Sequence, residues 1–351
     1  MILVVNAGSS SVRVALFDPS LRELAKGSVS EIGGAGRLRL GPRDEPASVP
    51  DHDAALALLL QGLDAQGHPT SALAAAAHRV VHGGATLTAP TRLDDQAIAA
   101  IEDCIPLAPL HSPAHLAGIR ALQRLAPRLP QFASFDTAFH ATNPPLATTY
   151  AIPEDLRAAG IRRYGFHGIS YQSLVERIAP LPRRLLALHL GNGASLCAIL
   201  DGRSVATSMG YSPLEGLVMG TRAGSIDGMA VLDIARERGI EEAERLLNRE
   251  SGLKALSGTS DMAAILARDD PEARFAAEMF AYWAVRHGAS AIAAMGGLDA
   301  IAFTGGIGEN ATGIRDRIAD GLAWAGRVPV HVVPAEEERR IAADALALMA
   351  S

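Results

Sequence analysis

The sequence predicts an α/β protein of two similar lobes with a cleft between them, and three observations support this fold class. The chain has 351 residues, which is more than one hydrophobic core usually serves. A β-hairpin pattern at the amino terminus occurs again in the second half of the chain. Helical patterns and proline-rich connections lie between the two copies, as expected when an α/β unit is repeated.

The first element is a β-hairpin over residues 2–18, ILVVNAGSSSVRVALFD. Its β-branched start predicts a strand, and the Gly and Ser residues that follow predict a turn. Val12, Val14 and Leu16 then alternate as in a second strand.

The second hairpin is the stretch LLALHLGNGASLCAILDG. When it is laid on the first hairpin without a gap, Asn6 falls on His189 and Ser9 falls on Asn192. Each half of the chain is therefore predicted to open with the same hairpin.

Other elements follow from local signals. Helical patterns cover residues 54–60 and 116–125, and a proline-rich connection at 143–145 is a candidate domain boundary. Asp270, Pro271 and Glu272 form an N-cap, a first-turn proline and an acidic first turn, so we expect a long helix to about Met295. A buried strand at 300–303 precedes TGGIGENA, interpreted as a glycine-rich turn that can approach a phosphate or nucleoside.

Composition limits the possible functions. With 48% hydrophobic and 20% charged residues, no basic n-region and no apolar run near about 18 residues, the chain is predicted to be soluble and cytoplasmic, without a membrane partner. A net charge of -6 and the lack of a basic stripe argue against a nucleic-acid partner. Cys104 and Cys197 lack disulfide or zinc spacing, so we expect both in the core. Small molecules are the expected partners.

The sequence has no P-loop, because Lys26 and Lys254 are the only lysines and neither follows a P-loop pattern. A phosphate-binding site in this chain would therefore use other groups. The NAGSSS turn, with Arg13 on the next strand, is either an ordinary hairpin turn or a grip for phosphate or hydrated Mg²⁺. Arg79 is either a surface cation or part of a site. Arg222 lies in a glycine-rich segment that we interpret as flexible, unnecessary for the core and suited to clamping an anion.

Several enzyme classes have little support. TGGIGEN does not have the GxGxxG spacing of NAD-binding loops, and neither a GxSxG elbow nor HExxH occurs. His167 and His189 lie beside glycines and are candidate site residues. His52 and His68 are interpreted as ordinary surface histidines.

Eight motifs together resemble the acetate kinase family and its short-chain acyl kinase relatives. They occur in the family's order and span nearly the whole chain: NAGSSS, HRVVHGG, APLHSP, FDTAFH, YGFHG, HLGNGAS, TSMGYSPLEGLVMGTRAGSID and FTGGIGEN. The resemblance implies a duplicated ribonuclease H-like fold of the actin, Hsp70 and sugar kinase type, with the active site in the interlobe cleft. It implies an amino-terminal lobe over 1–142, completed by a helix at 339–351, and a nucleotide-binding lobe over 143–338.

The resemblance also implies roles for the matching positions. The implied catalytic residues are Arg79, Asp136, His167 and Arg222. Magnesium would be held by Asn6 and Glu337, with Glu338 as a competitor. Contacts with the nucleotide and its phosphates are implied for Ser9, Ser11, Arg13, His189, Asn192, Gly193, Asp261, Gly306, Ile307 and Asn310. The pocket for the acyl tail would be lined by Val81, Leu110, Phe166 and Pro213.

Four positions depart from the family pattern. Arg13 replaces a lysine, which keeps the charge but changes the donor geometry. Ile169 and Tyr171 stand where the family has Thr and His in HGTSH. Ala263 stands where an arginine is usual, so one adenosine contact is expected to be missing.

The implied reaction is Mg²⁺-dependent, reversible in-line transfer between ATP and a short-chain carboxylate, with acetate or propionate favoured, in a homodimer. The products are ADP and an acyl phosphate. The acceptor is already an anion, so the reaction needs cations and donors that offset repulsion rather than a general base. The alternatives are a butyrate or branched-chain acyl kinase, a degenerate paralogue that binds without efficient turnover, and a nucleotide-binding switch.

Overall fold

The computed structural model describes residues 1–109 and 111–350, and the chain divides into two compact units. The first unit comprises Met1–Ala138 and Glu336–Ser351, and the second comprises Phe139–Ala335. Over the described ranges, no helix combines the length and the apolar character needed to cross a bilayer. Cys104 and Cys197 are buried free thiols, as predicted.

The first unit is a mixed sheet with helices packed against it. Its strands are β1 (Ile2–Gly8), β2 (Ser11–Phe17), β3 (Glu23–Ser30), β4 (Arg37–Leu40), β5 (Arg43–Pro46), β6 (Ala75–Val80), β7 (Thr91–Arg92) and β8 (Gln131–Phe135). They are ordered β5-β4-β3-β2-β1-β6-β8-β7, and β1, β6 and β8 are parallel neighbours. Its helices are α1 (His52–Ala65), α2 (Asp95–Asp103), α3 (Ser112–Leu125) and the carboxyl-terminal helix Glu337–Ala350.

The second unit carries a smaller sheet. Its strands are β9 (Arg184–Leu190), β10 (Ala194–Leu200), β11 (Arg203–Thr207), β12 (Ala300–Thr304) and β13 (Val330–Val332), in the order β11-β10-β9-β12-β13. Its helices are α4 (Pro145–Thr148), α5 (Glu154–Ala158), α6 (Gly168–Arg177), α7 (Gly228–Arg238), α8 (Ile240–Arg249), α9 (Gly252–Ser257), α10 (Met262–Leu266), α11 (Pro271–Met295), α12 (Gly305–Asn310) and α13 (Thr312–Gly321). The helix Glu337–Ala350 is accordingly α14.

Both predicted hairpins are present, but their turns differ in length. Ala7 lies opposite Val12 in the first hairpin, whereas its match in the second hairpin, Leu190, lies opposite Ala194. The second turn is thus one residue shorter. The ungapped match therefore holds for β1 and β9 but is displaced by one residue in β2 and β10.

The predicted long helix and the strand after it are confirmed. The carboxylate of Asp270 accepts a hydrogen bond from the Ala273 amide at the start of α11, and Gly296 ends that helix with φ 70°. The predicted turn in TGGIGENA is wrong, since residues 305–310 form α12. Gly305 has φ 80°, and a Cβ there would lie 2.7 Å from the Leu190 carbonyl oxygen. Only glycine allows β12 to pass directly into this helix.

Several histidines are buried in the two units. His78 donates from Nε2 to Gln131 Oε1 over 2.7 Å, and His140 donates from Nε2 to the Phe166 carbonyl over 2.9 Å. Burial lowers the pKa of His78 and of His140 to about 4. Burial, followed by the charge of Arg79, lowers the pKa of His115 to about 3. These rings are therefore neutral in the folded protein at neutral pH.

The free energy of unfolding is expected to fall as the pH drops from about 6.5 to about 4. Unfolded imidazoles take up protons near pH 6.5, whereas His78 and His140 resist protonation until about pH 4, so the unfolded state binds more protons in this window. The loss approaches about 1.4 kcal/mol per pH unit for each such histidine. Urea denaturation from pH 7.5 to pH 4.5 measures this loss. In His140→Asn, the slope of the free energy of unfolding against pH should fall by the amount that corresponds to about one bound proton. An unchanged slope in that variant would contradict the assignment.

Candidate active site

The first unit gathers charged side chains where parallel strands end. The carboxyl ends of β1, β6 and β8 lie at one edge of the sheet, and Asp136, which follows β8, donates its amide to the Val80 carbonyl. The guanidinium of Arg79 in β6 makes two bonds to the Asp136 carboxylate, Nε–Oδ1 at 3.2 Å and Nη2–Oδ2 at 2.7 Å. The Asp136 side chain is 2% exposed and that of Arg79 is 21% exposed, so this is a bidentate ion pair whose carboxylate is buried.

Carboxylates of α14 add to this cluster. Burial disfavours the charged form of Arg79, but Asp136 and then Glu337 more than offset it, so the pKa of Arg79 is raised above its ordinary value. Glu338 contributes less than Glu337. The structure thus brings Arg79, Asp136 and Glu337 together in the first unit.

The NAGSSS turn carries its polar residues on one face. Asn6 lies directly opposite Arg13, and Gly8 lies opposite Ser11, so their side chains share a face of the hairpin. Ser9 is exposed in the turn itself. His52 is not the ordinary surface histidine predicted, because its Nε2 lies 2.8 Å from the Gly8 carbonyl oxygen and ties α1 to this turn.

The second unit gathers two imidazoles beside the turn between β9 and β10. The rings of His167 and His189 stack with centroids 4.2 Å apart. A Cβ added at Gly193 would lie 3.3 Å from His167 Nε2 and 3.6 Å from Arg222 Nη1, so both nitrogens face this glycine. A Cβ added at Gly191 would lie 3.9 Å from His189 Nε2. Two imidazoles and one guanidinium therefore lie beside the turn at 191–193.

The segment that carries Arg222 is packed, and its interpretation as unnecessary for the core is wrong. Val218 and Met219 are buried, and the Gly220 amide donates to the Asn192 carbonyl over 2.9 Å. Gly224 has φ 76°, and a Cβ there would lie 2.4 Å from the Leu217 carbonyl oxygen. Glycine is required here by close packing, and the loop holds the Arg222 guanidinium in place, with Nη1 3.3 Å from the Pro213 carbonyl oxygen.

The remaining predicted nucleotide residues have local partners. Gly306, Ile307 and Asn310 all lie on α12, and Gly306 is exposed. Asn310 Nδ2 donates to the Gly306 carbonyl over 2.8 Å. Asp261 caps α10 by accepting from the Ala263 amide over 2.9 Å. Asp261 therefore has a structural task that the sequence-based assignment did not include.

The predicted acyl-pocket residues fall in both units. Val81 is buried just after β6 in the first unit, and Phe166 is buried just before α6 in the second. Pro213 is half-buried beside Arg222. Leu110 lies outside the described residues.

Comparison with known proteins settles the family. The model of the acetokinase family matches residues 1–342. The chain belongs to the acetokinase family. It is 43% identical over 348 residues to an acetate kinase of Rhodopseudomonas palustris, covering 93% of this chain and 87% of that protein.

Solved structures of this family share the fold. An acetate kinase of Porphyromonas gingivalis superimposes with a TM-score of 0.91 at 34% identity, covering 99% of each chain. A propionate kinase of Francisella tularensis subsp. tularensis gives a TM-score of 0.93 at 36% identity, covering 98% of each chain. The predicted α/β fold, shared with the acetate kinase family, is confirmed.

Two serines near the site received no role in the sequence analysis. Ser195 Oγ lies 2.9 Å from His167 Nδ1, and Ser170 Oγ lies 2.8 Å from His189 Nδ1. Each hydroxyl fixes an imidazole of the acetokinase motifs. Ser195 ends the HLGNGAS motif, and in the observed strand register it pairs with His189 as Arg13 pairs with Asn6. The motif and this register are the two signals that point to Ser195.

The residues present fit a magnesium ion bound mainly by substrate. Within residues 1–109 and 111–350, no group of three His, Cys, Asp or Glu side chains forms a ready metal cage. Mg²⁺ commonly keeps several waters and uses one or two carboxylates together with substrate phosphates. The Glu337 carboxylate near Arg79 and the amide oxygen of Asn6 supply oxygen donors of that kind.

Proposed function

We propose that this acetokinase transfers the γ-phosphoryl group of ATP reversibly to acetate or propionate, giving ADP and an acyl phosphate. One observation carries the proposal: His167, His189 and Arg222 surround the glycine turn at 191–193. A loose phosphoryl transition state spreads negative charge over its equatorial oxygens, and fixed donors of this kind stabilise it.

The acceptor is assigned to the first unit. Arg79 is held by two bonds to Asp136 and keeps its charge, so it can bind a carboxylate. Val81, two residues after Arg79, supplies apolar surface suited to a short acyl tail. The Asp136 carboxylate thereby orients Arg79 and prevents it from turning away from the substrate.

The transfer itself needs no proton movement on the acceptor. A carboxylate oxygen forms a bond to the γ-phosphorus while the bond from that phosphorus to the β,γ-bridging oxygen breaks, and ADP leaves. Mg²⁺, when bound with Glu337 and Asn6, would neutralise phosphate charge. His167 and Arg222 would donate to the transferring group, while His189, Asn192 and Gly193 would contact the nucleotide phosphates.

Other parts of the assignment rest on the family resemblance. We propose that the nucleotide also contacts Gly306, Ile307 and Asn310, that the chain forms a homodimer, and that it acts in the cytoplasm. We further propose that the two compact units correspond to the predicted lobes. A butyrate-specific kinase and a paralogue without turnover are not favoured, since the family members compared above are acetate and propionate kinases.

Acyl hydroxamate formation tests the proposed substrate class. With ATP, Mg²⁺ and hydroxylamine, we expect hydroxamate from acetate and propionate. One further methylene changes recognition by about 1 to 3 kcal/mol, so butyrate should react more slowly by tenfold or more. Reactions without enzyme or with ADP in place of ATP are the controls. Nucleotide binding without hydroxamate from any of the three acids would contradict the proposal.

A further inference from the structure

Tyr171 is a buried residue whose hydroxyl lies inside the second unit. Its side chain is fully buried in the cluster formed by α6, β9, β10 and β12. The ring packs edge-on against His140, with centroids 5.8 Å apart. Its hydroxyl oxygen lies 2.5 Å from Ser195 Oγ. Tyr171 therefore has both a packed ring and a polar contact of its own.

The same serine contacts His167. Ser195 is fully buried in β10, and its Oγ lies 2.9 Å from His167 Nδ1. Tyr171, Ser195 and His167 thus form a continuous hydrogen-bonded chain. It runs from the core to the imidazole that faces Gly193.

The protons in this chain can be assigned from its chemistry. Burial raises the pKa of Tyr171 well above its ordinary value, so its hydroxyl stays protonated. A phenol has one hydrogen to donate, and Ser195 Oγ is in place to accept it. Ser195 is then free to direct its own hydrogen to His167 Nδ1, which leaves the ring proton on Nε2.

His167 also depends on such support because its backbone is strained. It precedes α6 with φ 58°, in the left-handed region that residues other than glycine rarely adopt. Its Nε2 is directed to the side where a Cβ at Gly193 would lie 3.3 Å away and where Arg222 Nη1 is close. The neighbouring His189 has the same arrangement, with Ser170 at its Nδ1.

We propose that Tyr171 is a positioning residue which, through Ser195, holds His167 in the Nε2–H tautomer with that donor directed at the transferring phosphoryl group. The effect on catalysis rests on the proposed function, whereas the tautomer does not. Tyr171 stands where the family pattern has histidine, and on this assignment the change preserves a polar link to the site.

Nitrogen NMR of the full chain with ¹⁵N-labelled histidine tests the proposal directly. Ring-nitrogen shifts distinguish the two tautomers, and the His167 signals are those missing from His167→Gln. We expect the wild type to have the proton on Nε2, and Tyr171→Phe to give a mixture of tautomers. Tyr164→Phe is the matched control, because it removes another buried hydroxyl, one that donates to the Gly160 carbonyl.

Kinetics supply a second measurement. Tyr171→Phe should lower kcat by about 10- to 100-fold while KM changes less than about twofold. Ser195→Ala interrupts the same chain, so the double variant should lose no more than the larger single loss. Tyr164→Phe should stay near the wild-type rate.

The outcomes separate this proposal from the proposed function. A wild-type His167 with its proton on Nδ1, a tautomer unchanged in Tyr171→Phe, or additive rate losses would each overturn the role of Tyr171. If the wild type forms no acyl phosphate, the proposed function fails while the NMR result still decides the tautomer. If Tyr171→Phe does not fold, the same NMR and kinetic measurements are made on Ser195→Ala, and the same outcomes decide the proposal.

Discussion

Replacing Arg222 with alanine is expected to lower kcat for acyl phosphate formation by about 1,000-fold or more. The guanidinium is fixed beside Gly193 and close to His167 Nε2, where it can meet charge that develops on the transferring phosphoryl group. A preorganised cation of this kind acts mainly in the transition state, so its loss reduces turnover more than substrate binding.

The control for this prediction is Arg183→Ala. Arg183 belongs to the same unit, and its side chain is 72% exposed beside Asp201. Both variants should unfold at nearly the wild-type temperature, and only Arg222→Ala should lose its rate. A near-normal kcat in Arg222→Ala would show that Arg222 does not take part in the reaction.

Replacing Arg79 with alanine is expected to lower the free energy of unfolding by about 3 to 5 kcal/mol and to abolish turnover. The change leaves the Asp136 carboxylate, which is 2% exposed, without its bidentate partner. An unpaired buried charge is strongly destabilising, and the carboxylate-binding group is lost at the same time.

Arg124→Ala is the matched control in the same unit. Arg124 also makes two bonds to one carboxylate, that of Asp53, but its side chain is 58% exposed. Exposed pairs contribute about 1 kcal/mol or less, so this variant should remain stable and active. Urea denaturation measures the loss of stability in both variants. Equal losses would show that the Arg79–Asp136 pair contributes no more to stability than an exposed pair does.

Elements defined by local pattern could be predicted from the sequence. The alternation of Val12, Val14 and Leu16 is sufficient to indicate a strand, and the Asp270 cap followed by Pro271 is sufficient to start α11. Such signals depend on residues that are near one another in the chain. The sequence therefore predicted both hairpins, α11 and β12.

Strand register could not be predicted. A one-residue slip in a half-buried strand would expose its apolar face, but β10 is buried along nearly all its length on both faces. Its pattern is therefore compatible with either register. The length of the turn at 191–193 decides between them, and that depends on how the turn packs against Gly220 and Arg222.

The residues that the motifs singled out lie in two groups in the structure, but the contacts that support them could not be predicted from the sequence. Arg79, Asp136 and Glu337 come together in the first unit, as do His167, His189 and Arg222 in the second. Ser195 and Ser170 lie within or beside the quoted motifs, but the sequence alone did not show that their hydroxyls contact the two imidazoles. The role of the Tyr171 hydroxyl follows only from its distance to Ser195.

Transfer of an oxygen isotope tests the central claim most directly. If acetate labelled with ¹⁸O at both oxygens attacks the γ-phosphorus of ATP, the acetyl phosphate carries ¹⁸O in its bridge. Hydroxylamine attacks the acyl carbon and breaks its bond to that bridging oxygen, so phosphate is released with one ¹⁸O, which ³¹P NMR detects. We expect this phosphate to appear in equal amount with ADP and hydroxamate. ADP formed with unlabelled phosphate and no hydroxamate would show that the protein hydrolyses ATP and does not phosphorylate a carboxylate.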